Sequence, residues 1–148
     1  MRERSVTAIG LVALIGLSGC AAMQDRRCRC TLQVLDNELS FLKLGGYGRP
    51  FRSEWRPTLI FRDSPTCLNF ESGAPHQPCE RCPLFEFIPE DRRKTLMPCH
   101  QIPLDSEGAT VASLYQHGTQ QQLDKAVRNW LEAAIEKLQR EENNHERS

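Results

Sequence analysis

The chain has 148 residues, with 19 basic and 19 acidic side chains, 39% hydrophobic residues, nine prolines and seven cysteines. That length bounds the protein to one small domain. A formal net charge of zero excludes the basic excess of a nucleic-acid binder, so no nucleic-acid partner is expected.

The first twenty residues differ from the rest. Met1-Arg2-Glu3-Arg4 is a short, net-positive start, and residues 6 to 17 (VTAIGLVALIGL) carry no charge. Twelve such residues as a helix span roughly 18 Å, well short of the ~30 Å hydrocarbon core, so a permanent span is not expected. The run suits the apolar core of an export signal. It closes on Leu17-Ser18-Gly19-Cys20, where small residues give a protease access to the backbone and a thiol stands ready to accept lipid. In order, spacing and position this resembles the signal of bacterial lipoproteins, with Glu3 as a departure in a normally basic region. The resemblance covers residues 1–20 only. It implies cleavage before Cys20, acyl chains on that cysteine, and a protein held on the exported face of the cell membrane or outer membrane. Ala21 after the acceptor cysteine resembles the outer-membrane pattern. Several acyl chains make such an anchor effectively permanent, since each buried CH₂ adds about 0.8 kcal/mol.

The expected organisation is therefore a signal peptide at 1–19, a lipid anchor and tether at 20–30, a globular domain at 31–141 and a polar tail at 142–148. Removing the two arginines and one glutamate of the leader leaves 17 basic against 18 acidic residues. Arg26, Arg27 and Arg29 beside the anchor read as a solvated tether.

Between Thr31 and Leu44 two patterns compete. Leu32, Leu35, Leu39 and Leu42 recur at helical spacing, whereas Leu32/Val34 and Leu42/Leu44 alternate like strands about Asp36-Asn37. The reading adopted is a strand pair. Gly45-Gly46-Tyr47-Gly48 then reads as a turn, lacking the flanking elements of a phosphate loop. All nine prolines fall between positions 50 and 103, so regular structure there comes in short pieces. Strands are expected at 58–62 (TLIFR) and 84–88 (LFEFI). Ser64-Pro65 looks like a helix start, which places Cys67 in a first turn, where the dipole lowers a thiol's pKa.

The C-terminal region is the clearest. Thr119-Gln120-Gln121-Gln122 has the capping-box pattern. Leu123, Val127, Trp130, Leu131, Ala134, Ile135 and Leu138 then share one stripe of an amphipathic helix of about twenty residues. A shorter helix with Val111, Leu114 and Tyr115, ended by Gly118, precedes it. The fold class expected is α+β: a small cysteine- and proline-rich domain with short strands and a C-terminal amphipathic helix.

Six cysteines remain beyond the anchor: Cys28, Cys30, Cys67, Cys79, Cys82 and Cys99. An even number in a small exported domain reads as a disulfide framework, with 15 possible pairings. If Cys28-Arg29-Cys30 is extended, both thiols face one side and reach other segments rather than each other. The alternative is a metal site on Cys67, Cys79, Cys82 and Cys99, with His100 as a substitute ligand. Cys79-Glu80-Arg81-Cys82 has the spacing of structural zinc, and Pro78 and Pro83 flank it as in a rigid knuckle. The same set suits an iron–sulfur cluster, although clusters are hard to reconcile with export of an unfolded chain. A third reading is a thiol–disulfide enzyme on Cys79 and Cys82, but Pro83 and a strand-like segment follow the pair where a helix is needed. A c-type haem is disfavoured because proline, not histidine, follows Cys82.

No G-x-S-x-G, H-E-x-x-H or recognisable carboxylate pair occurs. The leading expectation is thus a lipid-anchored, disulfide-stapled domain without cofactor or catalysis, attached to the membrane through Cys20 and binding another envelope protein. A zinc or iron–sulfur module is the alternative.

Overall fold

The computed structural model describes residues 19–48, 59–70 and 76–148, with side chains described from residue 29 onward. The apolar leader at 1–18 lies outside the described residues. Among the described residues no helix is long and apolar enough to cross a membrane.

The strand pair expected at 31–44 is instead part of a long helix, α1 (Gly19–Lys43). Its buried face is the helical stripe Leu32, Leu35 and Leu42, with Leu39 packed at its margin. Leu44, the last member of the alternating pattern, is 74% exposed. Periodicity of 3.6 residues therefore prevails over periodicity of two. The helix stops at Gly45, whose φ of 71° is the left-handed conformation that helix ends favour at glycine. Its N–H donates back to the Leu42 carbonyl at 3.0 Å. A short 3-10 turn, Gly46–Gly48, follows.

The middle of the chain holds no strand among the described residues, which overturns the α+β class. Residues 84–88 lie in and just after a 3-10 helix, Pro83–Phe87, and not in a strand. Pro83 sits at its first position, and Phe85 and Ile88 donate to the carbonyls of Cys82 and Phe85. Of the strand expected at 58–62, residues 59–62 form a tight turn. Arg62 N–H donates to Ile60 O at 2.8 Å and Asp63 N–H to Leu59 O at 2.9 Å. Phe61, at the turn's centre, has φ of 63° while almost wholly buried.

Ser64-Pro65 does not begin a helix: residues 64–70 are turns and bends, closed by Cys67 N–H to Ser64 O at 3.1 Å. The first-turn position expected for Cys67 is therefore absent. Further 3-10 turns cover Cys79–Arg81, Glu90–Arg92 and Pro98–Gln101. Each of the turns between 79 and 101 begins at a proline or directly after one, as a residue with fixed φ and no N–H dictates.

Two helices complete the fold: α2 (Val111–His117) and α3 (Gln120–Glu146). Both open with full capping boxes, Thr110 with Ser113 and Thr119 with Gln122. The expected stripe of α3 is its buried face: Leu123, Val127, Leu131, Ala134 and Ile135 are buried, with Trp130 and Leu138 beside them. The helix runs to Glu146, well past its expected length.

The pairs Arg29–Glu142 (3.5 Å) and Lys43–Glu132 (3.1 Å) show α1 and α3 running antiparallel. Such exposed pairs report geometry more than energy. The core lies between these two helices and is closed by Ile60, Phe61, Leu84, Ile88, Ile102 and Leu104 from the irregular middle. Hence the proline-rich segments form a lid on a helical frame, and the frame fixes where their cysteines stand.

Candidate metal centre

Four cysteines converge on one cavity. Cys67, Cys79, Cys82 and Cys99 all line it, together with Phe61, Leu84, Phe85 and Ile88. Each arrives by a different local device. Cys67 lies in the turns that follow Ser64. Cys79 opens a 3-10 turn after Pro78, and Cys82 ends that turn by donating its N–H to Cys79 O at 2.9 Å. Cys99 sits in the turn Pro98–Gln101.

Asn69 registers the first two against each other. Its Nδ2 donates to Gln77 O at 3.0 Å, and its Oδ1 accepts from Gln77 N–H at 2.8 Å. This two-bond clamp holds positions 69 and 77 together, and the cysteines lie two residues outside it on either side.

The opposite wall is braced as firmly. The Ile60 N–H donates to the Tyr115 hydroxyl at 3.1 Å, and the Ile60 carbonyl meets His100 Nε2 at 2.8 Å. Phe61 N–H donates to the Tyr47 hydroxyl at 2.9 Å. These bonds hold Phe61 in a backbone conformation that non-glycine residues rarely adopt. Its ring thereby forms part of the cavity wall, edge-on to Trp130 at 6.0 Å. Arg93 supports the neighbouring wall, with Nε donating to Ile88 O at 2.9 Å and its guanidinium 5.0 Å from the centre of the Phe85 ring.

Burial pushes the thiols of Cys79, Cys82 and Cys99 up, and the Cys67 sulfur pushes each further. Cys99, the most affected, is raised to about 12. The effect is mutual repulsion in an apolar setting: a second thiolate in the pocket disfavours the first. A cation among the sulfurs removes both costs, because its charge outweighs desolvation and deprotonates its ligands. A thiol–disulfide enzyme needs the opposite shift, toward a stable thiolate. The room between the groups is about 40 Å³ for the centre of a water-sized sphere. That suits an ion or small inorganic group, not an organic ligand filling ~300–1,000 Å³.

Cys30, Cys67, Cys79, Cys82 and Cys99 are free thiols. Among the described residues no three His, Cys, Asp or Glu side chains are grouped to hold a single metal ion. His100, the expected substitute ligand, does not line the cavity. It is buried, its ring is 5.7 Å from that of Tyr115, and burial lowers its pKa. Facing a carbonyl, its Nε2–H is the donor, so the ring serves the Ile60 turn.

Cys30 is exposed and lines a separate groove with Val34, Phe41 and Pro65. Cys28 lies within α1, but its side chain is outside the described residues, as is that of Cys20. Because the segment is helical, positions 28 and 30 stand roughly 200° apart about the axis. The shared side expected of an extended Cys28-Arg29-Cys30 does not hold.

A second cluster supports the site from below. Glu38 of α1 is 1% exposed, and its Oε2 accepts from the Tyr47 hydroxyl at 2.6 Å. Its Oε1 accepts from the hydroxyls of Ser64 and Thr66. Burial raises the Glu38 pKa, opposed by these three hydroxyls. The cluster ties the turn carrying Cys67 to the helical frame. The sequence reading placed Tyr47 in a turn and Ser64 at a helix start, but gave Glu38, Tyr47, Ser64 and Thr66 no shared role. The one signal was an acidic residue in register with the stripe Leu32, Leu35 and Leu42.

No protein-family model matches the chain, and no curated protein or solved structure is similar to it.

Proposed function

We propose that this chain is a lipid-anchored envelope protein, held on its membrane through Cys20, whose helical domain carries a metal centre ligated by Cys67, Cys79, Cys82 and Cys99. The observation that carries the centre is the convergence of those four thiols on one small, apolar-walled cavity. The anchor rests on the leader, with Leu17-Ser18-Gly19-Cys20 at its end.

Metal ligation is favoured over a disulfide staple by the arrangement of the sulfurs. Four cysteines line one shared space, and Cys79 and Cys82 stand at the spacing of a structural zinc pair. The domain also has a helical core of its own, so it does not depend on bridges to bury apolar surface.

The test is metal analysis and thiol counting on the full chain, extracted anaerobically from membranes. The wild type should carry tightly held metal with four thiols protected from alkylation until denatured. Cys67→Ser should lose the metal, while Cys30→Ser should keep it. Wild-type protein containing two disulfides among these four cysteines, and no metal, would overturn the proposal.

A further inference from the structure

Resting on the anchor in that reading, we infer that one exposed face of α1 docks α1 of a second copy of this chain, with Cys30 set against Cys30. Cys30, Val34, Asn37 and Phe41 line one groove of about 460 Å³, with Pro65 and Thr66 beside them. Their spacing of four, three and four residues is that of a coiled-coil seam, and a further step of three reaches Leu44. Leu44 N–H still donates to Ser40 O at 3.0 Å, so it continues the helical turn, and its side chain is 74% exposed. At about 100° per residue the five positions fall within roughly 80° of one another. They stand on the side of α1 turned away from the buried stripe Leu32, Leu35 and Leu42.

Charge fits a like partner. The positions flanking the seam, Gln33 and Ser40, are uncharged, so two equal faces meet without repulsion. Arg29, Asp36 and Lys43 recur every seven residues in a separate row, and Arg29 and Lys43 pair with Glu142 and Glu132 of α3. With Val34 in the first core position of the heptad, its β-branch favours two strands.

The anchor fixes the direction. Lipid on Cys20 holds the start of every copy's α1 at the bilayer, so two such helices meet parallel. Antiparallel pairing over the same seam would put the two anchors roughly 45 Å apart along the helices. A parallel, in-register pair has a two-fold axis between its helices, which sets each seam residue against itself. About four turns make a short seam, and confinement of both copies to one membrane raises their effective concentration.

The test treats membranes carrying the full chain with diamide. Two Cys30 thiols lose two protons and two electrons, one S–S bond forms, and diamide is reduced to the hydrazine. Wild type should give covalent homodimer in about ten-fold excess over Cys30→Ser. Moving the thiol along the seam, in Cys30→Ser with Asn37→Cys, should restore the crosslink. Moving it off the seam, in Cys30→Ser with Asp36→Cys, should not. Asn37 is exposed, so Asn37→Lys leaves the core intact while setting two like charges face to face. It should lower crosslinking through Cys30 about five-fold, with unchanged circular dichroism. Equal crosslinking at 36 and 37, no crosslink at all, or a Cys30 adduct to a different protein in place of the homodimer would overturn the seam. Partitioning of the wild type into the aqueous phase would instead remove the anchor, and the crosslinking pattern reads the seam separately, so the two failures are told apart.

Discussion

Replacing Glu38 probes the link between the helical frame and the cysteine-bearing turns. In Glu38→Ala the Tyr47 hydroxyl loses its buried carboxylate acceptor, while Ser64 retains Phe61 O at 3.2 Å and the Ser64 and Thr66 hydroxyls retain each other at 2.7 Å. One buried hydroxyl deprived of its acceptor costs about 1–3 kcal/mol. That is an appreciable share of the ~5–15 kcal/mol expected for a domain. Glu38→Gln keeps the volume and an acceptor oxygen, and should cost about 1 kcal/mol or less.

The pH dependence follows from the direction of the shift. Burial raises the Glu38 pKa, so the folded state holds this proton more tightly than the unfolded state. Stability from this group is full below the ordinary carboxylate value and falls as pH rises through the folded pKa. Of the groups that face Glu38, Tyr47 is itself pushed up, chiefly by burial, and stays protonated throughout. Urea unfolding followed by circular dichroism, from acid to neutral pH and at one fixed metal state, reads both effects. Wild type should lose stability with rising pH in that window, and Glu38→Gln should lose less. Glu38→Ala within about 0.5 kcal/mol of wild type would refute the reasoning, as would identical pH slopes for wild type and Glu38→Gln.

Leu35 is fully buried on the α1 stripe, so Leu35→Ala should cost about 2–5 kcal/mol by denaturant unfolding. Thr119→Ala removes the side-chain half of the α3 capping box and should cost about 1 kcal/mol, seen as a lowered thermal midpoint. Cys20→Ser should abolish lipid attachment and move the protein from the detergent phase to the aqueous phase. Unchanged partitioning and processing would remove the anchor from the account.

The C-terminal helix was legible because three signals agreed there: a capping box, an uninterrupted apolar stripe and charges on the other face. The α1 region was not, because its signals conflict. Asp36 and Asn37 break the sequence as a turn would, yet both are simply exposed on the solvent side of the helix. Glu38 hides the continuity of the buried stripe, because a buried acid is tolerable only with partners supplied by Tyr47, Ser64 and Thr66. Those partners are distant in sequence, so no local pattern announces them.

The run at 84–88 is too short and too uniformly apolar for periodicity to separate a strand from a tight helical turn. Pro83 was the informative residue. Of the site, the set Cys67, Cys79, Cys82 and Cys99 could be written down from spacing alone. Its convergence could not, because that depends on the Asn69–Gln77 clamp and on the bracing of Ile60 and Phe61. The same tertiary contacts turn His100 toward Ile60, although adjacency to Cys99 had made it a candidate ligand.

X-ray absorption at the edge of the bound metal, on the full chain extracted anaerobically, asks most directly whether the four sulfurs share one occupant. Only sulfur should surround the metal, and the signal should vanish in Cys67→Ser and in Cys99→Ser. Nitrogen or oxygen among the nearest neighbours, or the same spectrum after loss of either cysteine, would contradict a centre built by Cys67, Cys79, Cys82 and Cys99.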